Sequence, residues 1–339
     1  MRKYRVVAAA IVVIVLIVSV YFLIPDHRQS LVVYSADAYV GEVNALISGF
    51  HNATGLAGDT SIGGGSFTIG HEIGNGVPAN LFFSVSRSAY SHQYLGSKYY
   101  SGWAVALAGD SLVLAYSGNN MKAADASLIN NFSSAYRSNN TSLFADAFDY
   151  LTSGTFKVGI SNASSDPAGL RAYISLEIAG YLYSDGNESY YIHRLISNDG
   201  LVSASSAADL VAPLETGQVS FLYIYRSAAI SKGLNFITLP DQLNFGNYSL
   251  ASFYSNFSYQ TQTGLIHGFP VYLYVSIPAN ESLVSESQKF VEYSMENRYL
   301  LAYFGMITMN KPMIFYNNTA PSFLSQYIKN DSLLYGGNL

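Results

Sequence analysis

Lys157 to Arg171 reads KVGISNASSDPAGLR, and the fold follows from how this stretch changes character along its length. Val158-Gly159-Ile160 is apolar and reads as the end of a buried strand. Ser161 to Asp166 is a short polar loop, and Pro167-Ala168-Gly169 then opens a helical apolar pattern in Ala172, Ile174, Leu176, Ile178 and Ala179. Asp166 takes the N-cap and Pro167 the first helical position, where a missing N–H costs nothing. The free N–H groups of such a helix start point outward and favour an anion. Taken alone, the same residues describe an ordinary strand–loop–helix connection, so the rest of the chain has to decide.

Toward the N-terminus the pattern repeats. Leu31 to Tyr34 is a short strand, followed by Ser35-Ala36-Asp37-Ala38-Tyr39 and a helical pattern in Val43, Leu46, Ile47 and Phe50. Thr60 to Ile62 leads into the turn Gly63-Gly64-Gly65-Ser66 and a second helix through Ile69 and Ile73. Leu81 to Phe83 is another buried strand, ending at Ser84 to Ser88. Strand, small-residue loop and helix alternating three times predict an α/β fold with parallel pairing. In such sheets ligands lie beyond the C-terminal strand ends, where all these loops fall.

Further on, Ser111 to Tyr116 reads as a strand crossing between two lobes, and Gly268 to Ser276 as the return crossing. Between them the periodicity predicts helices over 123–136, 142–151 and 201–215, and a strand over 219–225 that delivers Arg226-Ser227 into a further helix. Residues 244–262 read as a loop insertion and 285–303 as one amphipathic helix. The expected organisation is an N-terminal segment 1–27, a first lobe 28–114, a second lobe 115–268, and a return to the first lobe over 269–339.

Composition sets the compartment. Arg2, Lys3 and Arg5 precede an uncharged apolar run from Val6 to Ile24, long enough to span a bilayer at about 20 residues. An uncleaved membrane anchor with the body outside the cell is expected, and a cleaved signal is the alternative. The chain has no cysteine, which excludes a lipid anchor on a lipobox cysteine. Charged residues are 12% of the 339, about half the usual share. Asn-x-Ser/Thr sequons recur, among them Asn52, Asn131, Asn162, Asn187, Asn247, Asn256, Asn280 and Asn330, each a candidate glycan site on an exported chain. A net charge of −5 without Lys/Arg runs argues against nucleic acid as a partner.

The order and spacing of Gly65-Ser66, Ser161-Asn162, Asp166-Pro167-Ala168-Gly169-Leu170-Arg171, Gly217 to Ser227, Pro270-Val271-Tyr272, Ile277-Pro278, Phe304-Gly305 and Lys311-Pro312 resemble the archaeal molybdate/tungstate-binding proteins of ABC importers. More loosely they resemble the type II periplasmic-binding-protein fold. The resemblance covers nearly everything after Leu31. It implies a two-lobed α/β fold with mixed sheets flanked by helices, acting as a monomer that hands an oxyanion to an ABC permease. It also implies a ligand held by Ser35, Ala36, Gly65, Ser66, Ser84, Asp166, Ala168 and Tyr225, with Asp166 as the carboxylate that approaches the metal of the oxyanion.

Two positions depart from that family. Its first loop reads His-Ala-Gly-Ser-Leu, whereas Ala38 here lacks the hydroxyl, which Ser35 is expected to replace. Its second carboxylate aligns with Ile224, so Asp166 is expected to face the anion alone, leaving molybdate, tungstate, sulfate and phosphate open.

No enzyme class fits. His27, His51, His71, His92, His193 and His267 are scattered without ligand spacing, and no G-x-S-x-G or P-loop pattern occurs. No catalytic residue, resident metal or cofactor is therefore expected. An anchored, glycosylated surface-layer or adhesion protein without a small ligand is the competing class. It is disfavoured by the α/β alternation.

Overall fold

The computed structural model describes residues 30–56, 60–280 and 282–339. The expected anchor or signal segment 1–27 lies outside the described residues. Among the described residues no helix is long and apolar enough to cross a membrane. Leu31 to Leu339 form one unit.

The larger sheet has seven strands: β1 (Val33–Ala36), β2 (Ile62–Gly64), β3 (Leu81–Ser84), β4 (Trp103–Gly109), β12 (Tyr272–Ser276), β13 (Ile307–Tyr316) and β14 (Leu334–Gly337). Their spatial order is β14-β13-β4-β12-β3-β1-β2. β1 pairs in parallel with β2 and β3, while β12 runs antiparallel to β3 and β4. The five-stranded sheet contains β5 (Leu112–Tyr116), β6 (Val158–Gly159), β7 (Leu201–Val202), β8 (Phe221–Tyr225) and β9 (Asn235–Thr238), ordered β7-β6-β8-β5-β9. Both sheets are mixed. Helices cover both faces, so the inner strands β1, β3, β4, β8 and β12 are buried along their whole length rather than alternating in and out.

Only Asp110 and Ser111 separate β4 in one sheet from β5 in the other. Asp110 is fully buried there, and its carboxylate accepts from the Tyr39 hydroxyl at 2.8 Å, the Ser227 hydroxyl at 2.6 Å and the Ser111 N–H at 2.7 Å. One carboxylate thus ties the loop after β1 to the helix after β8, across the link between the sheets. The chain returns through the hairpin β10 (Ser258–Thr261) and β11 (Gly264–His267) into β12.

The helix Pro167–Tyr183 is buried on almost every side, which is why its sequence shows no polar stripe. Its first turn lies against the loop after β6 so closely that a Cβ on Gly169 would sit 1.9 Å from the Ser161 carbonyl oxygen.

Three expected elements differ. Residues 201–215 are not one helix: Leu201–Val202 add β7 to the sheet edge beside β6, and only Val211–Glu215 are α-helical. The edge N–H and C=O groups of β6 take up this backbone, as when the Ile160 N–H donates to the Val202 carbonyl at 3.0 Å. Residues 285–303 are helical over Val284–Glu296 and continue as a 3-10 turn over Arg298–Phe304, closed by Gly305 at φ +82°. Residues 244–262 hold the helix Ala251–Tyr254 and strand β10 rather than an unstructured insertion.

Candidate functional site

The loops leaving β1, β2 and β3 meet those leaving β6, β7 and β8. The contact is direct: the N–H of Phe67, in the first turn of the helix Ser66–Gly74, donates to the Ser165 carbonyl at 3.2 Å. Gly65 makes the approach sterically feasible, since a Cβ there would lie 2.4 Å from that same carbonyl oxygen. The stretches 65–66 and 161–166, singled out separately in the sequence, therefore face each other.

Asp166 is almost fully buried, and main-chain N–H groups hold its carboxylate from two sides. Ala168 N–H donates to Oδ1 at 2.9 Å, the capping bond, and Ala207 N–H donates to Oδ2 at 2.8 Å. The arrangement is a small cradle of amides, with a carboxylate in it. Burial pushes the pKa of Asp166 up to about 7, helped by the charge of Asp37 and opposed by the Ala168 and Ala207 N–H groups. Asp37 is itself raised, first by burial and then by Asp209, against the lowering effects of Ser206, the Ala38 N–H and Lys232.

Because the folded-state value lies above the ordinary carboxylate range, Asp166 contributes stability below about pH 4, and that stability is lost as the pH rises through 7. Asp166→Asn is expected to flatten the fall in unfolding free energy between pH 4 and pH 7. Denaturant titrations at several pH values that gave parallel curves for both proteins would place the titration elsewhere.

The other expected site residues divide. Ser66 is buried, and its Oγ accepts from the Val85 N–H at 3.3 Å, bracing the loop after β3. Ser84 Oγ donates to the Ser86 carbonyl at 2.9 Å, closing the same loop. Ser35 turns its hydroxyl onto the Ala36 carbonyl at 3.0 Å. Ala36 caps the 3-10 turn Asp37–Tyr39, and Ala168 offers the N–H that Asp166 now takes. The Tyr225 ring stacks on Tyr39 with centroids 5.8 Å apart, and its hydroxyl accepts from Arg171 Nη1 at 2.8 Å. Ile224 lies within β8, in the core.

Sequence reading missed Asp37, which the fold places within electrostatic reach of Asp166. The signal was present, as an acid in the first loop where the resembling family has glycine. It also missed the buried Ser161 hydroxyl, which lies beside the Asp166 carboxylate and lowers its pKa. Among the described residues no group of three or more His, Asp or Glu side chains is placed to hold a metal ion.

A family model described as bacterial extracellular solute-binding protein matches residues 31–299. An uncharacterized solute-binding protein of Saccharolobus solfataricus is 36% identical over 320 residues, covering 91% of this chain and 78% of that protein. A molybdate/tungstate-binding protein of Thermococcus kodakarensis is 25% identical over 124 residues, 32% of this chain and 35% of that one. Among solved structures, the periplasmic molybdate-binding protein of Azotobacter vinelandii superposes with a TM-score of 0.59 at 16% identity, over 83% of this chain and all of that one.

Proposed function

We propose that this chain, which belongs to the bacterial extracellular solute-binding protein family, captures a tetrahedral oxyanion, molybdate or tungstate, between its two sets of strand-end loops. Delivery is to an ABC permease from the outer face of the membrane, to which the segment 1–27 tethers it. The observation carrying the reading is the meeting of Gly65-Ser66 with Ser165-Asp166, two helix starts facing one another across the sheets. Neutral N–H and hydroxyl donors can hold a desolvated dianion without lysine or arginine, and here the Phe67 N–H exchanges the Ser165 carbonyl for the anion. The molybdate/tungstate-binding relative and the molybdate-binding structural neighbour support this ligand class.

Closure is a hinge motion about the link Asp110–Ser111 and the return strand β12, with the Asp110 bonds to Tyr39 and Ser227 present in the closed form. Asp166 sets the pH dependence. Ionised, it repels the ligand; protonated below about pH 7, it becomes a donor to an oxyanion oxygen. Asp37 adds a second acid where the sequence alone suggested a lone carboxylate, so the site prefers an acidic exterior.

Thermal unfolding with a panel of oxyanions tests the assignment, because a ligand bound only by the native state raises stability by mass action. Molybdate and tungstate are expected to raise Tm, more at pH 5 than at pH 8, and sulfate less. Ser66→Ala should cost about 1.5–3 kcal/mol of tungstate affinity, the range for a hydrogen bond to a charged group. A panel in which no oxyanion shifts Tm, or calorimetry showing an unaltered Ser66→Ala, would remove the ligand or the residue respectively.

A further inference from the structure

A cavity of ≈490 Å³ opens beside the loops just described, and none of Ser35, Gly65, Ser66 or Asp166 lines it. Its walls come from the segment after β3, the helix Pro167–Tyr183, the end of the β10–β11 hairpin and β12. Among the described residues Arg87, Arg171, His92 and His267 are in the lining, and no Asp or Glu is.

Arg171 is 4% exposed, yet among the described residues its guanidinium meets only neutral oxygens. Nη1 donates to the Tyr225 hydroxyl at 2.8 Å, Nη2 to the Val85 carbonyl at 3.0 Å, and Nε to the Phe269 carbonyl at 3.3 Å. Arg87 lies 3.9 Å over the centroid of the Phe269 ring and donates to the Asn338 carbonyl. A cation taken out of water without a counter-charge is costly, as Arg171 is, and the half-exposed Arg87 borders the same cavity. The Tyr274 hydroxyl, from β12, is fully buried against the same cavity and makes no hydrogen bond among the described residues. Burial raises its pKa, while Arg87 and Arg171 pull it back, so both guanidinium groups act on this phenol. Such an orphaned donor is rare in a folded protein and calls for an explanation.

We propose that this cavity is a second ligand site, for a small organic anion with a carboxylate or phosphate-monoester head on an apolar body. The head takes charge-assisted hydrogen bonds from Arg87 and the Tyr274 hydroxyl within the field of Arg171. The body packs on Leu170, Ile174 and Phe269. A bare tetrahedral oxyanion would leave most of the volume empty, since cavities of this size suit organic ligands. The site does not depend on which oxyanion the strand-end loops take.

Calorimetry of the full chain with phenyl phosphate tests the proposal, with and without saturating tungstate, and with benzyl alcohol and inorganic phosphate as controls. Phenyl phosphate is expected to bind in both conditions, and both controls much more weakly. Tyr274→Phe and, at the cavity mouth, Arg87→Met are each expected to weaken it about tenfold. Tungstate affinity should stay unchanged in Arg87→Met. The proposal is overturned if phenyl phosphate does not bind, if tungstate displaces it, or if both variants bind it as the parent does.

Discussion

Gly169→Ala is expected to lower the stability of the protein by about 3 kcal/mol, the upper range for forcing an atom into a packed interior. For a chain of this size that corresponds to a fall of about 4–5 °C in Tm. The added Cβ would lie 1.9 Å from the Ser161 carbonyl oxygen and 2.5 Å from its carbon, so backbone rather than a pliable side chain has to yield. Either the helix Pro167–Tyr183 lifts from the sheet or the loop after β6 is displaced, taking the Asp166 cap with it. Helix propensity favours alanine over glycine by up to about 1 kcal/mol, too little to offset the clash. Gly41→Ala, where the nearest atom would be a Phe304 ring carbon at 3.4 Å, is the control and should be neutral or stabilising. Urea midpoints measured on both variants decide it. A Gly169→Ala midpoint equal to the parent's would show that the contact relaxes freely.

Gly65→Ala is expected to act on the ligand rather than on the fold. Gly65 has φ −61° and ψ 132°, values open to any residue, so alanine strains no local backbone. The Cβ clashes with the Ser165 carbonyl group, at 2.4 Å from the oxygen, while Thr68 Oγ1 at 3.6 Å is ordinary contact, and Ser165 belongs to the loop on the other sheet. Opening the two loop sets relieves the clash without unfolding either sheet. The cost of overpacking, about 1–3 kcal/mol, then falls on the closed form alone. Tungstate affinity should drop about hundredfold at unchanged Tm of the ligand-free protein, because a penalty on the binding-competent state is a penalty on apparent affinity. Small-angle scattering should show the compaction on adding tungstate in the parent and not in Gly65→Ala. Affinity within a factor of two of the parent's would fault the closure argument.

These two glycines mark how far the sequence can be read. Both sat in stretches picked out by local pattern alone, a strand end followed by small residues and a helix start. That pattern located the loops after β1, β2, β3 and β6, because strand and helix periodicities and an Asp-Pro start are properties of neighbouring residues. It failed over 201–215, read as one helix, where an open sheet edge took Leu201-Val202 as β7. It also mislaid 285–303, where the α-helix gives way after Glu296 to a tighter turn that carries Leu301 into the core.

What the sequence determined by itself is the class of the molecule and the places where its chemistry gathers: alternating strands and helices, N-capped helix starts, and family membership through the order of short motifs. What only the tertiary structure decided is which of those groups act on one another. Asp37 and Asp166 are far apart in the chain, and nothing local shows that the charge of one raises the pKa of the other. Ser66 looked like a free hydroxyl until the fold gave it the Val85 N–H. Arg171 looked like the end of a motif until the fold enclosed it among carbonyls and left the Tyr274 hydroxyl beside it without a partner. The reason is physical: propensity and capping are short-range and additive along the chain. Burial, charge coupling and orphaned donors depend on which distant segments exclude water from one another, and that exists only once both sheets are assembled.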